Sequence, residues 1–413
     1  MPIDWPLPIS YFGVHVRTYN CLRRAGIYTI GELVVRSERD LLELEGSTPE
    51  LVEELKRELA AIDLSLRVDP SDDVPKHVAF IRHDYRVSVR AVAFHPGGRL
   101  LATAGWEEKS CLRDGSTGKV VGDPANPLAA VLEADKSQGS WDDFEASRTA
   151  RLWDTVTGEP VGVPLTGHTD KVWGVAFHPD GHLLATASSD DSARLWDTAT
   201  GEPVGNPLSG HIRNVYTVAF HPEGHLLATA GWDTGVRLWE VSNRRLITLF
   251  DGHDSTIHSA AFHPGGDFLA TGYGDGTVRL WSLDGDSLAV LTGHTEGIKE
   301  LAFHPDGELL ATASWDGTVR LWDTRAGQEV GVLPGHGQGA NTVAFHPEGH
   351  LLATAGLDCT VRLWDLATRR LQALFIGHTW STNAVAFHPG GDLLATAGQD
   401  GAVLLWPLPA PPS

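Results

Sequence analysis

Histidine, threonine, aspartate and tryptophan recur together in this chain at fixed separations. A His–Asp pair is the arrangement used in general-base relays and in metal sites. Six sets are complete: His168, Thr186, Asp190 and Trp196; His211, Thr229, Asp233 and Trp239; His253, Thr271, Asp275 and Trp281; His294, Thr312, Asp316 and Trp322; His336, Thr354, Asp358 and Trp364; and His378, Thr396, Asp400 and Trp406. In each, Thr stands ten and Asp six residues before Trp. A catalytic constellation is needed once, whereas this one occurs six times, so a structural role is expected. Seven His-Pro turns (His95, His178, His221, His263, His304, His346 and His388) read the same way, being too far apart to share a metal. No phosphate loop, nucleophile elbow or paired-carboxylate motif stands out from this pattern, so neither an enzyme nor a cofactor or metal is expected.

The elements that position these residues are themselves repeated. A phrase close to A-F-H-P-x-G-x-x-L-A-T-A places Phe at 94, 177, 220, 262, 303, 345 and 387, with gaps of 83, 43, 42, 41, 42 and 42 residues. A Leu-Trp mark follows at Trp153, 196, 239, 281, 322, 364 and 406. Such a period means one supersecondary unit used again and again, each copy burying its apolar face on the next. Within 294–330, Ile298, Leu301 and Phe303 begin a strand, and His304-Pro305-Asp306-Gly307 has turn residues. Leu309–Ala313 reads as a strand buried on both faces, Asp316-Gly317 as a hairpin turn and Thr318–Trp322 as a third strand. Glu329–Leu333 supplies a fourth, and four short antiparallel strands make one propeller blade.

Residues 77–407 resemble a WD-repeat β-propeller, because Gly-His, the Asp turn and Trp-Asp recur at fixed offsets. The resemblance implies a buried network in every blade, joining the loop His, strand Thr, turn Asp and strand Trp. A buried indole N–H needs such a partner, and a His bridged to Asp leaves the series of hydrogen bonds satisfied. The first unit keeps Phe94 and Thr103 but has Glu107 in place of the turn Asp and Arg113 in place of Trp. A second unit, about 123–158, has lost its front half yet ends in Leu152-Trp153-Asp154. Phe94 to Phe387 spans 293 residues, seven steps of about 42, which favours eight blades over seven blades with one long insertion. The last unit stops after its third strand at Trp406, and the 408–413 tail continues no sheet. His77–Ile81 resembles a fourth strand and is expected to complete that blade and close the ring.

The net charge is −21, of which residues 1–68 carry −3. An acidic surface repels a phosphate backbone, so nucleic acid is a poor partner for the repeats. No apolar run reaches membrane-spanning length, no secretory leader is evident, and Cys21, Cys111 and Cys359 lack metal-ligand spacing; a reduced, cytoplasmic setting is expected.

Residues 1–68 are punctuated as helices: Thr48-Pro49 caps Glu50–Ile62, with Leu51, Val52, Leu55, Leu59 and Ile62 on one face. Ser37 caps Glu38–Leu44, and Gly26 ends a helix around Tyr19–Ala25. About four short helices are expected, followed by a polar, proline-bearing linker over 69–76. VHVRTYNCLRRAGIYTIGELVVRSERDLLEL, with ELKRELAAIDLSL, resembles the C-terminal domain of the bacterial RNA polymerase alpha subunit, a small helix-hairpin-helix-type fold. The resemblance implies a minor-groove surface in which Arg17 and Asn20, with Cys21 beside them, take the DNA-contacting positions. Thr48, Glu50 and Leu51 replace the Gly, Lys and Ser of the other half of that surface. Exchanging a phosphate-facing Lys for Glu costs about 1–2 kcal/mol in a DNA interface. Autonomous DNA binding is therefore expected to be lost in favour of a protein-docking or merely structural role, with weak contact through 14–24 as the alternative.

The resemblance also places the loop His and turn Asp on one face of the ring. The residue before the Asp varies there: Trp106 (before Glu107), Ser189, Trp232, Gly274, Trp315, Leu357 and Gln399. So does the residue four before each repeated Phe: Arg90, Trp173, Tyr216, His258, Lys299, Asn341 and Asn383. Trp106, Trp173, Tyr216, Trp232, His258, Lys299 and Trp315 are the expected partner-binding set, with Trp380 beside them. An aromatic patch of this kind suits a protein or peptide partner. The sequence thus reads as a non-enzymatic interaction scaffold, with the helical domain tethering it to transcription machinery. A DNA-associated regulator using Arg17 and Asn20 is the alternative.

Overall fold

A computed structural model of the protein describes residues 18, 21–22, 33, 41–42, 44, 47–60, 79–83, 88–105, 110–113, 148–250, 254–333, 335–337 and 339–408. The protein divides into two compact units, Met1–Pro75 and Lys76–Ser413. In the first, helix α1 (Pro49–Ala60) begins at the expected cap, where the Leu51 N–H donates to Thr48 Oγ1 at 3.4 Å. Leu51, Val52, Leu55 and Leu59 are buried together with Leu22, Leu33 and Leu41, so the apolar stripe of the helix faces a core. Ile62 and most of the two helices expected over 19–25 and 38–44 lie outside the described residues.

The second unit is a seven-bladed propeller. Blades two to six span 172–209, 215–250, 257–291, 298–333 and 340–376. Each is a sheet of four consecutive strands, innermost first. The second strand is Leu-Leu-Ala-Thr-Ala-Ser/Gly in most blades and is buried along nearly its whole length, which small side chains allow between two close sheets. The third strand brings Trp196, Trp239, Trp281, Trp322 or Trp364 into the interface with the neighbouring blade.

The expectation of eight blades is corrected to seven. Thr149–Asp154 is the third strand of blade one, paired with Leu100–Gly105 from Leu100↔Asp154 to Gly105↔Thr149. Blade one is therefore Val89–Phe94, Leu100–Gly105, Thr149–Asp154 and Pro160–Leu165, and residues 106–148 are an insertion between its second and third strands. The physical reason is Trp153: its indole N–H donates to Thr103 Oγ1 at 2.9 Å, the bond that every other blade makes. Arg99 adds an Nε–Oδ2 contact of 3.0 Å to Asp154. Ser110–Arg113 carries no Trp and pairs instead with Ala79–His83. That strand in turn pairs with Ala402–Pro407, from Ala79↔Leu405 to Arg82↔Ala402, so blade seven has five strands and draws on both ends of the propeller sequence.

The seven His-Pro turns staple neighbouring blades. Each imidazole meets the Phe of the next blade edge-on at 5.1–5.5 Å, from His95 on Phe177 round to His388 on Phe94. Five of the rings also bond through Nε2 to a Gly carbonyl of the next turn at 2.9–3.2 Å. That Gly has a positive φ in every turn, and a Cβ on it would run into the imidazole.

Candidate functional site: the channel mouth

At the opposite end of each innermost strand the ladder slips by one residue, between Val89/Ala91, Val172/Gly174, Val215/Thr217, Ile257/Ser259, Ile298/Glu300, Ala340/Thr342 and Thr382/Ala384. The residue skipped is Arg90, Trp173, Tyr216, His258, Lys299, Asn341 or Asn383. A bulge of this kind re-aims a side chain. Here it brings seven side chains of six types from seven blades to the lining of one cavity of about 530 Å³, with Trp315, Leu357 and Gln399 at its rim.

An arc of rings crosses four blades. Trp173 meets Tyr216 edge-on at 5.4 Å, Tyr216 stacks on His258 at 5.7 Å, and His258 reaches Trp315 at 5.6 Å. A cation lies at each end: the Arg90 guanidinium 5.3 Å from the Trp173 ring and the Lys299 ammonium 4.8 Å from the Trp315 ring. Trp173 is held by its N–H bond to Ser189 Oγ at 2.6 Å. Blades six and seven contribute amides that are already used: Asn341 Nδ2 bonds Ser381 Oγ and Thr382 O, and Asn383 Nδ2 bonds Ser88 Oγ and Val89 O, each at 2.8–3.2 Å.

The mouth shifts its own titrations. Burial pushes the Lys299 ammonium down to about 8, with the Arg90 charge as the next cause. Burial, helped by Lys299, lowers His258 to about 4, so that ring is neutral at pH 7. Burial lowers Arg90 as well. Glu300 is not marked out by the sequence reading above. Burial pushes its carboxyl up to about 7, against hydrogen bonds from Thr342 and from the Val343 N–H at 3.3 Å. A signal exists, since the equivalent positions are Ala91, Gly174, Thr217, Ser259, Thr342 and Ala384, all small.

Of the expected partner-binding residues, Trp173, Tyr216, His258, Lys299 and Trp315 share this cavity. Trp232 does not line it; its ring is 45 % exposed, under the Arg213 guanidinium at 5.6 Å. Trp380 is exposed and also lies outside the lining, and Trp106 is outside the described residues.

The His–Asp sets are blade struts. In blade two, His168 Nδ1 faces Asp190 at 2.8 Å, the Thr186 hydroxyl meets Nε2 at 2.7 Å, and the Trp196 N–H donates to Thr186 at 2.9 Å. The sets of blades three, five, six and seven repeat this within 0.4 Å, including His294, Thr312, Asp316 and Trp322 at 2.7, 2.8 and 2.9 Å. In blade four Trp281 donates to Thr271 at 2.8 Å, and His253 lies outside the described residues. Burial raises Asp316, but hydrogen bonds from His294 and Thr318 more than offset it and leave the carboxyl well below the usual range.

Three of the His-Pro turns group ligand atoms within one turn: His178, Asp180 and His182; His221, Glu223 and His225; His346, Glu348 and His350. These could hold a divalent ion. The first His of each, however, already spends Nε2 on the next blade and Nδ1 on the amide N–H of its own turn.

Comparison with known families agrees with this geometry. The model described as "IFT122 first beta-propeller" matches residues 144–406, well over half of the protein. The chain belongs to the WD-repeat β-propellers. A second model of that kind, "WD domain, G-beta repeat", matches residues 75–115, the stretch whose strands divide between blades one and seven. The family model for the C-terminal domain of the bacterial RNA polymerase alpha subunit matches residues 6–61. Over 84 residues the WD-repeat protein is 45 % identical to the "DNA-directed RNA polymerase subunit alpha" of Acidothermus cellulolyticus, a match covering 20 % of its own length and 25 % of that relative. The subunit of the same name from Beutenbergia cavernae is 45 % identical over 75 residues, covering 18 % and 22 %. This WD-repeat protein thus spans about a quarter of the length of those relatives. Within the matched region Cys21 is buried, and Arg17 and Asn20 lie outside the described residues. Among the described residues no helix is long and apolar enough to cross a membrane.

Proposed function

We propose that this protein is a non-enzymatic scaffold whose propeller takes a protein or peptide partner at the channel mouth, while its N-terminal unit tethers it to transcription machinery. The observation that carries the first half is the convergence of Arg90, Trp173, Tyr216, His258, Lys299 and Trp315 on one cavity, from positions that vary inside an otherwise repeated frame. Rings and cations that remain solvent-accessible in such a hollow have the composition of a binding hot spot. The second half is supported by the alpha-subunit likeness of residues 6–61.

Affinity purification of the full-length protein tests the binding reading, with wild type beside a Trp173→Ala/Trp315→Ala double variant. Partners retained by wild type and lost by the variant are expected. An identical set of partners from both would sink it. DNA contact through Arg17 and Asn20 is the second reading, favoured by the same likeness. A mobility shift by the full-length protein at low salt, abolished by Arg17→Ala, would establish it.

A further inference from the structure

Arg90 and Lys299 stand in the mouth, where Glu300 acts on Lys299 through space but no carboxylate bonds either cation. Among the described residues neither forms an ion pair, and Arg90 Nε is buried with no hydrogen-bond partner. Glu300, next to Lys299 in sequence, is engaged with Thr342 and the Val343 N–H in blade six. Half-buried cations without a hydrogen-bonded counter-charge are costly. They also run against the trend of a molecule whose net charge is −21. The aromatic arc between them is no cage for a foreign cation, since its two terminal rings already carry the protein's own. A nucleic acid, which would track its backbone over a wide basic surface, meets an acidic exterior instead.

Resting on the reading of the mouth as a binding site, we infer that it recognises an acidic peptide segment: carboxylate side chains pair with Arg90 and Lys299 while apolar or aromatic neighbours lie on the Trp173–Tyr216–His258–Trp315 arc. Each half-buried cation then gains the charge-assisted partner it lacks, and the rings supply contact area. A phosphorylated side group would bring the same anionic chemistry, so the test carries both.

Phage-displayed random heptapeptides are selected on the full-length protein, and the enriched sequences are then synthesised with a fluorescein label. Enrichment of Glu or Asp at fixed positions is expected. Replacing those residues by Gln or Asn, or using the Arg90→Met or Lys299→Met protein, should each weaken binding at least tenfold. Arg244→Met, on a turn outside the lining of the mouth, should leave it unchanged. A melting temperature for each Met variant no lower than wild type keeps a loss of binding distinct from a loss of fold. Neutral or basic winners, or acidic ones indifferent to both Met variants, overturn the inference. Phosphoserine at the acidic position binding no tighter than Glu supports the carboxylate, and tenfold tighter binding overturns it in favour of phosphate. Peptides that bind Trp173→Ala/Trp315→Ala as well as wild type would instead overturn the reading of the mouth as the site.

Discussion

Thr312 shows how one hydroxyl is used twice: it accepts from the Trp322 indole N–H at 2.9 Å and meets His294 Nε2 at 2.8 Å. Thr312→Val keeps the shape but leaves a buried N–H and a buried ring nitrogen unpaired. The cost expected is about 1–3 kcal/mol, read as a fall in the urea midpoint of the propeller transition by tryptophan fluorescence. No change would mean that these bonds are geometric coincidences. Glu300 is the opposite case. Its folded pKa of about 7 lies above its ordinary value, so its contribution to stability is fully present below about 4.5 and is lost as pH rises through about 7. Glu300→Gln, which cannot ionise, is therefore expected to unfold at the same temperature as wild type near pH 4.5 and at a higher one at pH 8. Lys299, whose pKa is lowered by burial, also destabilises the fold below about 8, and Lys299→Met should melt higher at pH 7. An equal or lower melting temperature for Glu300→Gln at pH 8 would show that the carboxyl is solvated.

At the scale of the strand, blade one shows what the repeat period cannot report. Two candidate third strands follow Leu100–Gly105, and spacing alone favours the nearer, Ser110–Arg113. The choice goes to Thr149–Asp154 because only that strand delivers an indole to Thr103 and a carboxylate to Arg99. The blade frame, its His–Thr–Asp–Trp struts and the variable mouth positions were all legible, since each is a residue type fixed to a period. The bulges that aim Trp173 or Lys299 were not, because a register slip leaves no compositional mark. Nor was the separation of Trp232 from Trp173, which depends on how far a rim turn stands from the axis. Joining Gly105 to Thr149 through Asp-Gly, with 106–148 removed, should therefore leave blade one intact: soluble, monodisperse protein with the near-ultraviolet dichroism of wild type. Failure to fold would mean that Ser110–Arg113, the outer strand of blade seven that the deletion also removes, is needed to hold the ring.

For the whole molecule, stability depends on closing a ring whose first and last strands come from opposite ends of the propeller sequence. Among the contacts that span the join are Asn383 Nδ2 to Val89 O at 2.8 Å, His388 on Phe94 at 5.3 Å, and the pairing of Ala79–His83 with Ala402–Pro407. The first two recur between other blades, so the third is what distinguishes this seam. Without it, blade seven would expose an open edge along Ala402–Pro407, and that edge ends in proline rather than in a charged guard. Ile81 sits mid-strand, opposite Val403 on one side and Leu112 on the other. Proline there removes a ladder N–H and strains the strand whichever partner that N–H serves. Ile81→Pro should lower the melting temperature by several degrees and raise amide hydrogen exchange along 402–407 well before blades three to five exchange. Uniform exchange across all seven blades with an unchanged melting temperature would show that the ring holds without its closing strand, and that the remaining contacts suffice at the seam.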